Sequence, residues 1–385
     1  MNDFLIIGGG VIGMMTAWQL AEAGHGVTLF ERGQCGQEAS WAGGGIVSPL
    51  YPWRYSAPIS GLSRWSEGRY RDLAARLAEE TGIDPEFRRK GLFYLDLDDA
   101  AEAMQWAQQQ GKPLARVDDG FLYAREPHLV DGLEGALWMP TLGSIRNPRL
   151  GQALRSRLGS LPDVTLKEGC RVDRLVVEKG RVHGVDTADG RFSAGTVILC
   201  GGAWTGQLLE TLGIGLPVRP VKGQMMVYRT PVVSGSRQLL DRVVLAKGRY
   251  LIPRSDGRVL IGSTLEEAGF DKATTASARA SLHASAVSML PALADCEVEH
   301  HWAGLRPGAP DGLPFIGELP NVRGLFVNAG HYRNGLVLAP AATRLLVDQL
   351  LGRAPILDPT PFTPLPGPKG ADVGHDVASP GCVLA

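Results

Sequence analysis

Gly8, Gly10 and Gly13 stand in G-x-G-x-x-G spacing between an apolar run at residues 4–8 and a helical pattern, and Glu31 ends the next apolar run. This arrangement suits a dinucleotide. Gly8 permits the tight turn, Gly10 admits a pyrophosphate to the backbone, and Gly13 lets helix and strand pack closely while the helix N-terminus faces the phosphates. Glu31 suits a ribose 2′-hydroxyl and repels a 2′-phosphate, but the spacing alone does not separate FAD from NAD. A second stretch, residues 39–46, is Ala-Ser-Trp-Ala-Gly-Gly-Gly-Ile. Its small residues let backbone amides approach a planar ring or a phosphate, although taken alone it reads first as a flexible loop. Arg306 sits between Leu305 and Pro307 in an otherwise apolar run. A guanidinium fixed there can grip a carboxylate with two parallel bonds, or serve an ion pair within the protein. Late in the chain, Gly330-His331-Tyr332-Arg333-Asn334-Gly335 enters a long apolar helical run at 336–351. Asn334 is placed to cap that helix, whose first amides favour negative charge such as a reduced flavin holds near N1, unless this is an ordinary buried helix.

The elements around these residues alternate in type. Residues 4–8, a helix over 11–23 and a strand over 27–30 form a βαβ unit. One amphipathic helix is expected over 65–80, and a short strand at 92–97 precedes a helix near 98–110. From Arg171, three alternating runs with turn signals at Lys179-Gly180 and Asp189-Gly190 predict an antiparallel meander. Further strands are expected at 196–199, 224–228, 243–245, 250–252, 259–261 and 324–327, with a helix over 273–289. Segments suited to a parallel sheet occur at the start, middle and end of the chain, separated by antiparallel blocks. The expectation is therefore an α/β chain (α+β overall), with a Rossmann-like nucleotide-binding domain built from 1–80, 140–215 and 300–365. An antiparallel-sheet substrate domain from 81–139 and 216–299 is inserted in it, and 366–385 reads as a disordered tail.

Composition removes several classes. The 385 residues carry 39 basic and 40 acidic side chains, a net charge of -1, so there is no electrostatic footprint for nucleic acid or an anionic membrane. Five scattered cysteines without a C-x-x-C pair suit neither a disulfide framework nor zinc, and fit a reducing compartment. No metal site is expected: His300 and His301 are adjacent and would point to opposite faces of a strand. No apolar run is long enough to span a bilayer, and no signal peptide is read at the N-terminus, so the expected location is cytoplasmic.

Together these segments resemble the D-amino-acid oxidase superfamily of flavoproteins, and within it the thiamine-pathway glycine oxidases, over about residues 3–365. The resemblance is carried by residues 4–13, Gly201-Gly202-Ala203-Trp204, Tyr250-Leu251-Ile252-Pro253-Arg254, and residues 262–271, 302–307 and 330–340. It implies non-covalent FAD, because the position that tethers flavin in related sarcosine oxidases aligns near Gly304, which has no thiol. The ADP half is expected on Gly8, Gly10, Val11, Ile12, Gly13, Glu31 and Arg32, with Ser40 near the pyrophosphate and Val172 meeting the adenine through its backbone. Gly44, Gly45, Ile46, Gly202 and Trp204 are expected along the cofactor, and Gly330, His331, Arg333, Asn334, Gly335 and Leu336 around the ring. Arg306 and Tyr250 would take the substrate carboxylate, with Arg333 adjacent as the third catalytic-site residue and Leu265 and Ile46 lining the pocket. The implied reaction is oxidative deamination of glycine, and of sarcosine or small D-amino acids, by hydride transfer to flavin N5. It yields a 2-oxo acid such as glyoxylate, ammonia and hydrogen peroxide, and serves thiamine biosynthesis. A dehydrogenase using another acceptor, or a general D-amino-acid oxidase, is the alternative. The partners implied are a small amino acid and dioxygen, with a homo-oligomer left open.

Overall fold

The computed structural model describes residues 3–231 and 238–365, so the expected tail at 366–385 lies outside the described residues. The dinucleotide half is a six-stranded sheet with Phe4–Ile7 near its centre. That strand pairs in parallel with Val27–Phe30 on one side and Val197–Leu199 on the other. Val164–Lys167 and Leu325–Ala329 extend the parallel order outward, and Phe315–Glu318 adds an antiparallel edge. Strands buried on both faces read as continuous apolar runs, which is why four of the six are expected from sequence, whereas the partly exposed Val164–Lys167 and Phe315–Glu318 are not.

The helix Val11–Glu22 is apolar on nearly every side because it is enclosed: it shares a core with the C-terminal helix Gly335–Leu350 and with Ile6 and Leu29. A Cβ on Gly13 would collide with the carbonyl oxygen of Gly8, whose own φ is +108°. These two glycines set how closely the helix meets the strand.

The second sheet has eight strands, in the order Glu297–Gly308, Arg219–Arg229, Val259–Gly262, Arg249–Pro253, Val243–Ala246, Leu92–Leu95, Gly135–Met139 and Ala115–Asp118. All its pairings are antiparallel except that of Val243–Ala246 with Leu92–Leu95. Its longest ladder joins Arg219–Arg229 to Glu297–Gly308. The domain boundary expected at residue 300 therefore falls inside a strand, and residues 297–308 go with this sheet. The meander is a separate three-stranded sheet, Val172–Glu178, Arg181–Thr187 and Gly190–Ser193.

The single helix expected over 65–80 is two, Ala57–Glu67 and Tyr70–Thr81. Gly68 and Arg69 interrupt the ladder; Gly has poor helix propensity, and Arg69 sits at φ -103°. No helix among the described residues is long and apolar enough to cross a membrane.

These contacts give opposite expectations for two glycines. Gly13→Ala should lower stability by about 1–3 kcal/mol by overpacking the helix against Gly8. Gly68→Ala, in helical backbone with nothing within 4 Å of its Cβ position, should be neutral or slightly stabilising. Chemical denaturation followed by circular dichroism compares them, and equal midpoints would overturn the steric account of Gly13.

Candidate active site

One cavity of about 480 Å³ extends from the Gly8–Gly10 turn to Tyr250, Arg306 and Arg333. That size is within the range of cofactor and ligand clefts. At the first end, the Glu31 carboxylate accepts hydrogen bonds from the backbone N–H groups of Gly9 (2.8 Å) and Gly33 (2.9 Å). It is thus fixed at the strand end, with lone pairs left for a ribose hydroxyl. Ser40 Oγ accepts from the N–H of Val11 at 2.8 Å. It caps the first turn of a helix that has no acidic residue there, and its hydroxyl proton is left to donate. This is a suitable end for an anion. The Arg32 guanidinium lies 3.6 Å from the Trp204 ring centroid and pairs with Glu38 at 2.9 Å. Val11, Ile12, Val172 and Gly202 complete this end of the wall.

The loop at 39–46 is tied to its surroundings by hydrogen bonds. Ala39–Ala42 forms a helical turn, and Gly44 and Ile145 offer their carbonyls to Arg254 at 2.8 and 2.9 Å. Burial pushes the Arg254 pKa down to about 10. Gly45 has φ +84°, and a Cβ there would strike the Ile145 carbonyl. Trp41 turns onto Trp302, whose indole N–H donates to the Ala42 carbonyl at 3.1 Å. Gly44, Gly45 and Ile46 line the cavity.

At the other end, Arg306 lies across Gly223 of the neighbouring strand, where any Cβ would collide with its guanidinium. Nη1 donates to the carbonyls of Lys222 (3.3 Å) and Thr264 (3.2 Å), and Nη2 to Ser263 Oγ (2.6 Å). All of these partners are neutral. Burial pushes the Arg306 pKa down, Tyr250 opposes this and the nearby positive charge of Arg333 adds to it, and Arg306 forms no ion pair with an Asp or Glu among the described residues. Arg306 is half-buried, its guanidinium held by neutral oxygens beside another arginine on the cavity wall, and a wall bearing such a charge is suited to receive an anion. This excludes the ion-pair alternative for Arg306 among the described residues. Tyr250 is buried in the same wall, its hydroxyl 3.8 Å from Met225 Sδ.

The helix Gly335–Leu350 begins at the cavity, which Asn334, Gly335, Leu336 and Arg333 line. Asn334 is the N-cap residue by position, but its side chain makes no capping bond. His331 is kept neutral by burial, its pKa pushed down to about 3, and its Nε2 is 2.9 Å from Asn328 Oδ1. Two buried polar atoms on cavity-lining residues have no partner, His331 Nδ1 and Asn147 Oδ1. Both atoms are sealed within the wall, with almost no accessible surface of their own.

Three expected site residues stand elsewhere. Leu265 is 42% exposed and outside the wall, because Thr264 and Glu266 on either side of it are bonded back to Gln224 and Lys222, which turns Leu265 to solvent. Gly13 and Gly330 are also outside it; Gly13 is used in helix packing and Gly330, at φ +80°, in a turn against Phe315. Sequence reading missed Met225, Asn147, Gly223 and Ser263 because each acquires its place through long-range pairing. Among the described residues no group of three or more His, Cys, Asp or Glu could hold a metal ion.

Residues 3–349 match the profile of a family described as FAD dependent oxidoreductase (DAO). The chain belongs to this family. As one of these flavoproteins it is an FAD-dependent oxidoreductase of α/β fold. A glycine oxidase of Pseudomonas putida is 52% identical over 363 residues, covering 94% of this chain and 98% of that one. The crystal structure of glycine oxidase from Geobacillus kaustophilus is similar with a TM-score of 0.88 and 34% identity, covering 94% of this chain and 98% of its own. A D-amino acid dehydrogenase of Methylobacterium radiotolerans is 33% identical over 407 residues, covering 91% and 96%.

The cavity fits this cofactor without a covalent bond. A side chain on Gly304 would strike the Ala42 Cβ. Two cysteines do line the cavity, Cys170 and Cys200, but they lie beside Val172 and Gly8, and burial pushes the Cys200 thiol up to about 12. Acid precipitation of the holoprotein should therefore leave the yellow chromophore in the supernatant; flavin retained in the pellet would show a tether.

Proposed function

We propose that this protein oxidatively deaminates glycine, and sarcosine or small D-amino acids less specifically, to glyoxylate or the corresponding 2-oxo acid, hydrogen peroxide and ammonia, with methylamine in place of ammonia from sarcosine. The observation that carries this reading is the uncompensated Arg306 guanidinium in a cofactor-sized cavity; the glycine oxidase names of the P. putida and G. kaustophilus proteins support it.

In this reading Gly8, Gly10, Glu31, Arg32, Ser40 and Val172 hold the ADP half of FAD, and the segment 331–336 borders its ring. FAD, when bound, supplies the two-electron acceptor that takes hydride from the substrate Cα and passes electrons to dioxygen. The chain's own residues bind and orient. Arg306 and the Tyr250 hydroxyl take the carboxylate, and Arg333 stands beside them. Ile46, Met225 and Tyr250 supply bulky side chains near the anchor, leaving room for a small Cα substituent. Supply of thiamine biosynthesis follows from the resemblance to the thiamine-pathway enzymes, and a cytoplasmic setting agrees with free Cys35, Cys170, Cys200 and Cys296.

Anaerobic glycine should bleach the flavin and air should restore it; bleaching that only a quinone reverses would favour a dehydrogenase instead. Glycine and sarcosine should exceed D-phenylalanine in kcat/KM, and the reverse order would favour a general D-amino-acid oxidase. Truncating one member of a buried charge pair removes about 2–5 kcal/mol. Arg306→Ala should accordingly raise the glycine KM at least ~30-fold with FAD still bound. Arg306→Lys keeps charge but loses the fork, and should fall between. A near-normal glycine KM in flavin-loaded Arg306→Ala would remove the anchor assignment.

A further inference from the structure

Behind the anchor lies a polar cluster that the reaction does not use. Along Arg219–Arg229 side chains alternate: Gly223 and Met225 face the cavity, so Lys222 and Gln224 face the other way. Lys222 is only 1% exposed. Its ammonium is 3.1 Å from Asp271 Oδ2 and 3.9 Å from Glu266 Oε2, both on the segment 263–272. That segment acts as a strap. Its Glu266 N–H donates to the Lys222 carbonyl (3.0 Å), and the Lys222 N–H donates to the Glu266 carbonyl (2.9 Å). Thr264 Oγ1 accepts from the Gln224 N–H at 2.8 Å, and the Thr264 hydroxyl donates to Glu266. The far end of the strap rests on the cofactor side of the cavity, with Phe270 against Trp204 and Lys272 Nζ 3.1 Å from Glu38 Oε2.

The near end supplies two of the three oxygens that hold the Arg306 fork, Ser263 Oγ and the Thr264 carbonyl; the third is the carbonyl of Lys222 itself. We propose that Lys222 is a positioning residue for the substrate carboxylate: its buried ammonium clamps the strap, and the clamped strap fixes the orientation of Arg306. A buried ammonium is retained in a core only with strong partners, and this one has both on the element that orients the anchor. The inference rests on the anchor reading of Arg306.

The test uses flavin-loaded protein, glycine kinetics, and acetate as an inert carboxylate read by the flavin spectrum. Lys222→Met should raise the glycine KM and the acetate Kd about tenfold, with kcat within about threefold and FAD retained. Lys222→Arg should recover most of the loss. In an Arg306→Ala background Lys222→Met should add almost nothing, because both act through one fork. Asp271→Asn, at a half-exposed partner whose loss leaves the core intact, should shift KM in the same direction by about threefold, which keeps the test decisive if Lys222→Met does not fold. Unchanged KM, equal falls in kcat and FAD content, or full additivity with Arg306→Ala would each overturn the inference. If Arg306→Ala itself leaves acetate binding intact, the anchor reading falls and this inference with it. If Arg306→Ala weakens acetate and both Lys222→Met and Asp271→Asn are silent, only the role of Lys222 is lost.

Discussion

A guanidinium partly withdrawn from water without a counter-ion is unfavourable, and one end of the cavity is organised around keeping one there. Arg306 is tolerated because neutral oxygens take its N–H groups and because Gly223 leaves a flat surface beneath it. Those oxygens exist where they do because of register. The ladder between Arg219–Arg229 and Glu297–Gly308 sets Val221 opposite Arg306 and Gly223 opposite Gly304. A slip of one residue would send the guanidinium to the other face of the sheet. The long antiparallel ladder is thus the device that aims the charge.

The opposite end of the cavity follows another logic, close approach of backbone to backbone. Gly8, Gly13 and Gly45 are each required by a carbonyl oxygen that a Cβ would strike. Gly10 differs: its Cβ position meets only Ser40 Oγ, at 3.2 Å, and faces the cavity. The first three shape the cradle, and Gly10 leaves it open. This division explains why motif residues that look alike in sequence split between packing and lining.

Legibility in the sequence followed the range of the interactions. The βαβ unit, the meander and the C-terminal helix were readable because apolar period and turn chemistry are local. Arg306 stood out because its neighbours are apolar. Ser40 as the cap of the helix Val11–Glu22, Gly223 as the floor for Arg306, and Asn147 donating to the Ser40 carbonyl at 2.9 Å were not readable, since each joins segments far apart in the chain. Leu265 was misplaced for the same reason. Its outward turn is set by bonds that its neighbours make to another strand, which no local pattern records.

The order of strands has a consequence for folding. Leu5 pairs with Val197, Val197 pairs with Leu325, and the helix after the first strand is enclosed by Gly335–Leu350. The strand at Phe4–Ile7 and the helix after it therefore wait for Leu325–Ala329 and Gly335–Leu350, far later in the chain, before their apolar surface is covered. Pairings this distant fold slowly, and an uncovered apolar helix is prone to aggregate in the interval. The cavity likewise needs residues 331–336 together with residues 7–12, so its cradle is complete only when these distant segments have met.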